Sequence, residues 1–446
     1  MPDLLLIWLL GLGLAAGAVV PFVLARQRRE AEARVAAGKA ERAGLHQPAS
    51  LHPVVDPARC LGCGAYTAVC PEGDVLALVG GQAEAIAPAR CVGHGRCERA
   101  CPTGAITLVF GTAQRGVELP RVRGDYMTNV ENLYIVGELG GMGLIRNAVE
   151  QGRQCAEGIV RSTRTEPPVR AGGLDVVVIG AGPAGMSAAA TLGAAGLRYA
   201  LLEREADLGG TVRQYPRRKL VLTQPFVIPG YGRFYETEST KEDLVGIWRE
   251  VSQTAGVDAH TRLGHRVTHI TRVPEGFEVE SDRQPALRAR RVILAIGRRG
   301  TPRKLDVPGE TQSHVVYALM EPGAYRGRQC LVVGGGDSAV EAAVALADEG
   351  ADVRLSYRKA QITRAKAANV ARLAEAVAAE RILALWQTEV EEIGTDWVRL
   401  TGPEGRLTIP ADDVFVMIGG ELPTPFLEQC GVVLDAHFGV PRMETA

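Results

Sequence analysis

Two glycine-rich turns, each leading from an apolar run into a helix-like stretch, restrict the fold of this chain more than any other feature. The apolar runs are residues 175–179 and 330–333. The turns after them contain Gly180, Gly182, Pro183 and Gly185 in the first and Gly334, Gly336, Asp337 and Ser338 in the second. A strand that enters a helix through such a turn places backbone N–H groups against a pyrophosphate. The sequence therefore predicts an α/β fold with two Rossmann-like dinucleotide-binding domains.

The two predicted domains differ after their second strand. In the first, that strand ends in Glu203, 18 residues after the third glycine, where a carboxylate can accept a hydrogen bond from a ribose hydroxyl. In the second, the strand 352–355 is followed by Arg358, Lys359 and Arg364. Because cationic side chains bind a 2′-phosphate, this domain is predicted to prefer NADPH to NADH. A basic surface loop is the alternative explanation.

Length and composition exclude several classes of protein. With 446 residues the chain has room for roughly two to four domains, at about 150 residues each. Its 50 basic and 51 acidic side chains nearly cancel, so no nucleic acid is expected as a partner. An apolar content of 46% against 23% charged residues excludes a wholly disordered chain.

Six of the nine cysteines lie between residues 60 and 101. Both halves of this segment have the spacing C-x2-C-x2-C-x3-C-P with one cysteine replaced, by Tyr66 in the first half and His94 in the second. This spacing suits iron–sulfur clusters, because three close thiolates hold one cluster while the cysteine before proline reaches the other. A structural zinc site and an empty, degenerate module are the alternatives.

Residues 51–110 closely resemble the two-cluster module of bacterial ferredoxins. The crossed ligand sets that this resemblance implies are Cys60, Cys63 and Cys101 for one cluster and Cys70, Cys91 and Cys97 for the other. Imidazole is an established iron ligand, so His94 is a candidate fourth ligand of the second cluster. Tyr66 is a weaker candidate on the first. Three thiolates suit either a three-iron cluster or a four-iron cluster with another fourth ligand.

The amino terminus carries an uncharged apolar run, residues 4–25. About 20 helical residues cross a hydrocarbon core, so this run predicts one transmembrane helix. A cleaved signal peptide fits less well, because no basic residue precedes the run. Arg26, Arg28 and Arg29 follow directly, and the positive-inside rule places the catalytic domains in the cytoplasm. The predicted location is therefore the cytoplasmic membrane, with a single span.

Residues 173–430 resemble the two-dinucleotide-domain flavoproteins of the thioredoxin reductase group, which include ferredoxin–NADP reductases and bacillithiol disulfide reductases. The matching stretches are residues 180–185, 209–211, 291–297, 334–339 and 413–419. The resemblance implies FAD in the first domain, with Gly210 and Thr211 in its site, and NADPH in the second. The redox Cys-x-x-Cys of thioredoxin reductases is missing from residues 320–329. A dithiol mechanism is therefore not expected.

The order of the FAD-binding pieces departs from this group. In the family, a late strand with a Gly-Asp motif and a helix complete the FAD site near the carboxyl terminus. Here the equivalent pattern comes early, at residues 128–152, with Gly137 and Glu138 at the motif. The resemblance therefore implies a circular permutation, in which Glu138 replaces the family's aspartate near the flavin.

The predicted organisation is an anchor (4–25), a stalk (26–50), a ferredoxin-like domain (51–110), a permuted part of the FAD domain (111–172), the FAD domain (173–300), the NADPH domain (301–420) and a return to the FAD domain (421–446).

The predicted function is an oxidoreductase that passes electrons between NADPH, FAD and ferredoxin-type clusters, with no acid–base residue required. Its redox partner is unidentified, with ferredoxin or a membrane redox component as candidates, and a homodimer is compatible with the sequence. A disulfide reductase and a redox sensor or scaffold are the alternative functions. The isolated cysteines, Cys155, Cys330 and Cys430, are predicted to be small buried apolar residues.

Overall fold

The computed structural model divides the chain into two compact units, Met1–Val117 with His437–Met443 and Glu118–Ala436. The described residues are 2–42, 46, 48, 51–73, 75–91, 93–113, 116–140, 143–170, 172–215, 217, 220–222, 225–236, 238–298, 301–363 and 365–441. All nine cysteines are among them, and none is in a disulfide.

The first unit begins with one long helix, Pro2–Arg42. Ala40, near the end of this helix, packs against Ala87 and Ala89 of the cysteine-rich module. The predicted anchor, residues 4–25, forms part of the helix, but the side chains of residues 2–16, 18 and 22 lie outside the described part of the chain. Within the described residues no helix is both long and apolar enough to span a bilayer, so the predicted transmembrane helix is not supported there.

The cysteine-rich module is a small α+β fold. Strand Leu51–Val55 pairs antiparallel with Ile106–Phe110, and Val440–Pro441 pairs with the other edge of the latter strand. The remaining elements are the hairpin Leu76–Val79 and Gln82–Ala85, the helix Arg96–Ala100, and the 3-10 turns Ala65–Ala68 and Pro88–Arg90. Residues 421–446 were predicted to return to the FAD domain. Leu427 and Val432 do pack in the core beneath that domain's sheet, whereas Val440–Pro441 belongs to the sheet of this module.

The first nucleotide-binding domain is built on a seven-stranded sheet. Its parallel strands lie in the order Thr261–Leu263, Tyr199–Glu203, Leu174–Ile179, Gln284–Leu294 and Leu133–Ile135. The first half of Gln284–Leu294 also pairs antiparallel with Gly276–Ser281, which pairs with Val267–Val273. The helices are Ile145–Thr163, Pro183–Ala194 and Lys241–Thr254, and the short strands are Val117–Pro120, Leu220–Leu222, Phe226–Ile228, Gly232–Phe234, Glu238–Thr240 and Leu434–His437.

The strand Leu133–Ile135 and the helix Ile145–Thr163, which come from the proposed permuted segment, are integral to this domain. The strand pairs in parallel with the centre of the sheet. Ser187 Oγ donates to the Val149 carbonyl across the two helices at 2.7 Å. An added Cβ at Gly152 would overlap the Ala184 carbonyl oxygen, so the close approach of the helices requires glycine there. The early segment therefore packs directly on the helix that follows the first glycine turn.

The second nucleotide-binding domain contains a five-stranded parallel sheet in the order Val315–Val316, Asp413–Val416, Gln329–Val333, Asp352–Tyr357 and Ile382–Trp386. The central strands are buried on both faces, which explains their continuous apolar runs. The helices are Asp337–Asp348 and Ala367–Ala378, and an antiparallel sheet is formed by Glu389–Ile393, Trp397–Gly402 and Gly405–Pro410. The second compact unit also contains the antiparallel strand pair Thr301–Pro302 and Gly420–Glu421 and the short helix Thr424–Gln429.

Candidate functional site

A cleft of about 530 Å³ opens where the parallel strands of the first domain end. Its lining brings together predicted residues from distant parts of the chain: Gly137, Glu138, Gly180, Gly182, Pro183, Glu203, Gly210 and Thr211. The carboxyl ends of parallel strands are where α/β sheets bind nucleotides. Gly185 lies behind this surface, where an added Cβ would overlap the Gly180 carbonyl oxygen. The glycine is therefore needed for the turn to pack on its own helix.

The first glycine turn presents the start of a helix to the cleft. Gly180 has a φ of +102°, and its N–H donates to the Leu202 carbonyl at 2.8 Å. The helix Pro183–Ala194 follows, and none of the described side chains caps its N-terminus. Unpaired N–H groups at a helix start favour an anion. The turn can therefore hold the pyrophosphate of a dinucleotide.

Glu203 closes the turn from the neighbouring strand. Its Oε2 accepts the Ala181 N–H at 2.7 Å, and its Oε1 accepts the Glu205 N–H at 2.9 Å. Burial raises the pKa of Glu203, although the two N–H groups work in the opposite direction. The sequence predicted a ribose contact, and the structure adds a second task, because the carboxylate also holds the turn. Each oxygen keeps a further lone pair for a hydroxyl.

Arg298 lies near Glu138 and was not predicted from the sequence. Burial lowers the pKa of the Arg298 guanidinium, while the charge of Glu138 raises it. Arg298 follows the strand Gln284–Leu294, and Glu138 follows Leu133–Ile135, which pairs with it. The two charges are therefore brought together by strand pairing between segments about 150 residues apart, and no local sequence pattern signals it.

The second glycine turn repeats the geometry of the first. The Gly334 N–H donates to the Ser356 carbonyl at 3.0 Å, and a Cβ at Gly335 would overlap the ring of Tyr357. The helix Asp337–Asp348 begins directly after Gly336, with Ser338 exposed in its first turn. Asp337 Oδ1 accepts hydrogen bonds from the Lys366 N–H and from Asn369 Nδ2.

The cations predicted to select a 2′-phosphate lie just beyond the second strand of this sheet. Arg358 and Lys359 are both exposed and follow Tyr357. Arg364 lies outside the described residues. Two of the three predicted cations are thus placed at the edge where the second glycine turn opens.

The second predicted cysteine set is assembled by the fold. Burial, together with the neighbouring thiols of Cys97 and Cys70, raises the pKa of Cys91 to about 12, against a hydrogen bond from the Gly93 N–H. Burial and the Cys70 thiol also raise the pKa of Cys97. The buried thiols of Cys91 and Cys97 resist ionisation, so they need a cationic group beside them to become thiolates together. The set therefore fits the iron of a cluster.

The first set is more open. Cys63 is exposed, whereas Cys60 and Cys101 are half-buried. Arg59, next to Cys60, donates to the Thr103 carbonyl at 2.7 Å, which brings the Cys60 loop beside Cys101. Although burial opposes it, hydrogen bonds from Thr103, Ala105 and Ile106 lower the pKa of Cys101 to about 7.

Backbone N–H groups donate hydrogen bonds to three of the module's thiols, those of Cys60, Cys91 and Cys101. The Ala83 N–H donates to Cys60 Sγ at 3.3 Å, the Gly93 N–H to Cys91 Sγ at 3.3 Å, and the Ala105 N–H to Cys101 Sγ at 3.2 Å. Such bonds stabilise thiolates and tune cluster potentials. Among the described residues no three His, Cys, Asp or Glu side chains are grouped as ligands of a single metal ion.

The two residues at the substituted positions differ in burial. Tyr66 is 4% exposed, and its hydroxyl has no hydrogen-bond partner among the described residues. The thiols of Cys60 and Cys63 lie close enough to act on the Tyr66 pKa, which burial chiefly raises to about 12. His94 is half-buried. Tyr66 is thus a buried neighbour of the first cysteine set, and His94 is half-buried in the module.

Two family profiles match the chain. The profile of the pyridine nucleotide-disulphide oxidoreductases matches residues 177–445, which is more than half of the sequence. The chain belongs to this family. A second profile, the 4Fe-4S dicluster domain, matches residues 52–102. The protein is therefore an NAD(P)H-dependent FAD oxidoreductase with an iron–sulfur dicluster domain, as the sequence predicted.

The relatives of this oxidoreductase include ferredoxin–NADP reductases. That of Ignicoccus hospitalis is 30% identical over 266 residues, 56% of this chain and 78% of the relative. That of Thermus thermophilus is 29% identical over 55% of this chain and 72% of the relative. Among solved structures, bacillithiol disulfide reductase from Bacillus cereus is 25% identical, with a TM-score of 0.52 over 59% of this chain and 83% of that structure.

The isolated cysteines of this family member have no redox partner among the described residues. Cys155 and Cys330 are fully buried in apolar cores. Cys430 is half-buried and packs against the core beneath the first sheet. Burial raises the pKa of all three thiols above the usual range. The prediction that these cysteines are small apolar residues is confirmed for Cys155 and Cys330 by their burial.

Proposed function

We propose that this chain is a ferredoxin–NADP reductase-like enzyme that carries its own ferredoxin-type clusters and passes electrons between NADPH, FAD and those clusters. The distribution of its cysteines supports this function. Six lie in the dicluster module, and none is among the described residues that line the flavin cleft. None of the described residues that line the cleft could therefore form a redox thiol pair beside the flavin, which favours transfer to the clusters over a dithiol mechanism.

When bound, FAD accepts a hydride and releases electrons one at a time. The chain holds its pyrophosphate at Gly180, Gly182 and Pro183, with Gly185 behind the turn. Glu203 binds the ribose, Gly210 and Thr211 approach the phosphates from the facing loop, and Gly137 with Glu138 closes the flavin end. These roles follow from the lining of one cleft by all of these segments except Gly185.

NADPH is assigned to the second domain. Gly334, Gly336 and Ser338 receive the pyrophosphate at the helix start, because N–H groups there face the turn. Arg358, Lys359 and Arg364 select the 2′-phosphate by charge. Rotation between the two nucleotide-binding domains brings nicotinamide to flavin, as lid and domain motions do in other enzymes.

The cluster ligands are assigned as two crossed sets. Cys60, Cys63 and Cys101 hold one cluster. Cys70, Cys91 and Cys97 hold the other, with His94 as its fourth ligand. The electrostatic influence of Cys70 and Cys97 on the Cys91 pKa supports the second set, and the hydrogen bond from Arg59 to the Thr103 carbonyl supports the first.

The test is an anaerobic NADPH titration of the full chain, followed by flavin absorbance and low-temperature electron paramagnetic resonance together. We expect the flavin band to bleach and reduced-cluster signals to follow. Iron that never changes state while the flavin bleaches would contradict the relay.

Disulfide reduction is the second candidate, favoured by the similarity to bacillithiol disulfide reductase. It predicts NADPH oxidation that depends on a low-molecular-weight disulfide and does not need iron. The same assay on iron-depleted protein separates the two, because the relay loses cluster reduction and the disulfide activity persists.

Location and partners are part of the same proposal. We assign the chain to the cytoplasmic membrane through residues 4–25, with ferredoxin or a membrane redox component as its partner and a homodimer as its assembly. Carbonate-resistant sedimentation with membranes would support the location. Recovery of the full chain in the soluble fraction would contradict it.

A further inference from the structure

Asp337 is engaged with the chain rather than open to the cofactor site. Its Oδ1 accepts the Lys366 backbone N–H at 2.8 Å and Asn369 Nδ2 at 2.7 Å. Asn369 Nδ2 also donates to Glu341 Oε1 at 3.1 Å, one turn further along the helix of Asp337. Asn369 is 9% exposed, so these bonds form largely away from water. They tie the start of the helix Ala367–Ala378 to the helix after the second glycine turn.

Electrostatics explain why this carboxylate is used for anchoring. Asp337 stands at the start of the helix that is assigned to the cofactor pyrophosphate. A carboxylate in direct contact with a phosphate would repel it. The same charge is favourable beside the N-terminus of the helix Ala367–Ala378, where the N-cap residue, Lys366, makes no side-chain cap hydrogen bond of its own. Asp337 is therefore better suited to hold this second helix than to touch the cofactor.

The segment 358–366 carries the predicted 2′-phosphate cations and is held at both ends. At its beginning, the Thr388 N–H donates to the Tyr357 carbonyl at 3.2 Å and the Gln387 N–H to the Lys359 carbonyl at 3.3 Å. At its end, Ala365 is fully buried in the apolar core and the next N–H is bound by Asp337. Asp337 thus fixes one of the two ends between which the predicted cations lie.

We propose that Asp337 and Asn369 form a positioning pair that sets the preference for a 2′-phosphate by fixing the far end of segment 358–366. The inference rests on the proposed function, in which this domain binds NADPH. When the pair is broken, the segment that carries the cations is held at its beginning alone. Affinity for a 2′-phosphorylated nucleotide then falls, while binding of the parts common to NADPH and NADH is kept.

A matched pair of variants at Lys366 isolates the backbone bond. Lys366 has a φ of −58°, which proline adopts. Lys366→Pro removes the N–H that Asp337 binds, whereas Lys366→Ala keeps that N–H and removes only the ammonium. The full chain is titrated calorimetrically with 2′,5′-ADP and with 5′-AMP. We expect the proline variant to bind 2′,5′-ADP about tenfold more weakly than the alanine variant, the equivalent of one hydrogen bond, with 5′-AMP unchanged.

Asn369→Ala provides a second test that does not depend on proline. It removes the Nδ2 donor and is expected to weaken 2′,5′-ADP binding by several-fold and to speed amide hydrogen exchange in residues 358–366 of the nucleotide-free chain. Equal weakening of both nucleotides would place the effect of Asp337 on the adenosine 5′-phosphate that they share and overturn the pair's role. A preference for 2′,5′-ADP that survives Lys366→Pro and Asn369→Ala would also overturn it. A wild-type chain that binds both nucleotides equally would instead contradict the NADPH assignment itself.

Discussion

The glycine turns of the two nucleotide-binding halves are held by the same backbone hydrogen bond and differ in one neighbouring side chain. The Gly180 N–H binds the Leu202 carbonyl, and the Gly334 N–H binds the Ser356 carbonyl, so the residues that follow, Glu203 and Tyr357, occupy equivalent positions. In the first half the carboxylate accepts the N–H of the residue after the glycine. In the second half an aromatic ring covers the residue after the glycine, which must itself be glycine.

This difference shows how one fold is adapted to two nucleotides. An acid at the strand end provides an acceptor for ribose hydroxyls and repels a 2′-phosphate. A neutral ring at the same position removes that repulsion and leaves the following residues, Arg358 and Lys359, to provide positive charge. The half that holds the turn with a carboxylate is thus suited to FAD, and the half that packs it with a ring is suited to NADPH.

The largest effect is expected at the third glycine of the first turn. An added methyl at Gly185 would overlap the Gly180 carbonyl oxygen, whereas the second turn carries Ala339 at the equivalent position. Gly185→Ala should therefore destabilise the first half by about 3 kcal/mol and release FAD. Gly336→Ala, where no atom lies within 4 Å of the added Cβ, is the control for unfolding in urea. Equal losses in the two variants would show that the two turns are not packed differently.

Glu203 should show the next largest effect. Glu203→Ala leaves the N–H groups of Ala181 and Glu205 without their acceptor, at a cost of about 2 kcal/mol in unfolding free energy. Glu203→Gln keeps one acceptor oxygen and should lose about half as much. Tyr357→Phe is the matched change in the other half and should lose little, because the ring remains. Urea unfolding and FAD content measure both changes, and equal stability of Glu203→Ala and Tyr357→Phe would contradict the role of the carboxylate in holding the turn.

Removing a cation in the second half should change affinity rather than stability. Arg358→Ala and Lys359→Ala are each expected to weaken NADPH binding by about tenfold at low salt, because each removes a charge from the 2′-phosphate site. Binding of NADH should stay the same, since it has no such phosphate. Fluorescence titration at two ionic strengths checks this, and a parallel loss for both nucleotides would contradict the charge-based selection.

The smallest effect concerns pH. Burial raises the pKa of Glu203 above its usual value of 4.5, so the folded chain holds this proton more tightly than the unfolded chain does. Its contribution to stability is then greatest below pH 4.5 and is lost as the pH rises through the raised pKa. The wild type should therefore lose stability relative to Glu203→Gln over that window. A constant difference between the two unfolding curves across the window would argue that the Glu203 pKa is not raised.

The sequence was sufficient for features that depend on local geometry. Gly180 and Gly334 have positive φ angles, and Gly185 and Gly335 have no room for a Cβ, so glycine is required at these positions and the motif spacing predicted the turns. The early segment was also predictable, because its strand and helix carry a motif that the rest of the first domain lacks. The hydropathy that predicts a transmembrane helix is also a local property of the sequence. Most side chains of residues 4–25 lie outside the described part of the chain, and within that part no helix is long and apolar enough to span a bilayer.

Partners of side chains could not be predicted in this way. Three such contacts join residues that lie far apart in the chain. Glu203 accepts the Ala181 N–H, Arg298 lies near Glu138, and Asn369 donates to Asp337. Such contacts depend on how helices and strands pack, and no local spacing encodes them.

By itself, the sequence determined where the chain turns, which strands are buried and which thiols belong to one module, because backbone conformation and motif spacing act over a few residues. Only the tertiary structure decided that Glu203 also holds the first turn and that Asp337 holds the far end of the basic segment. These outcomes depend on strand pairing and helix packing between distant segments, whose energies exist only once the segments meet.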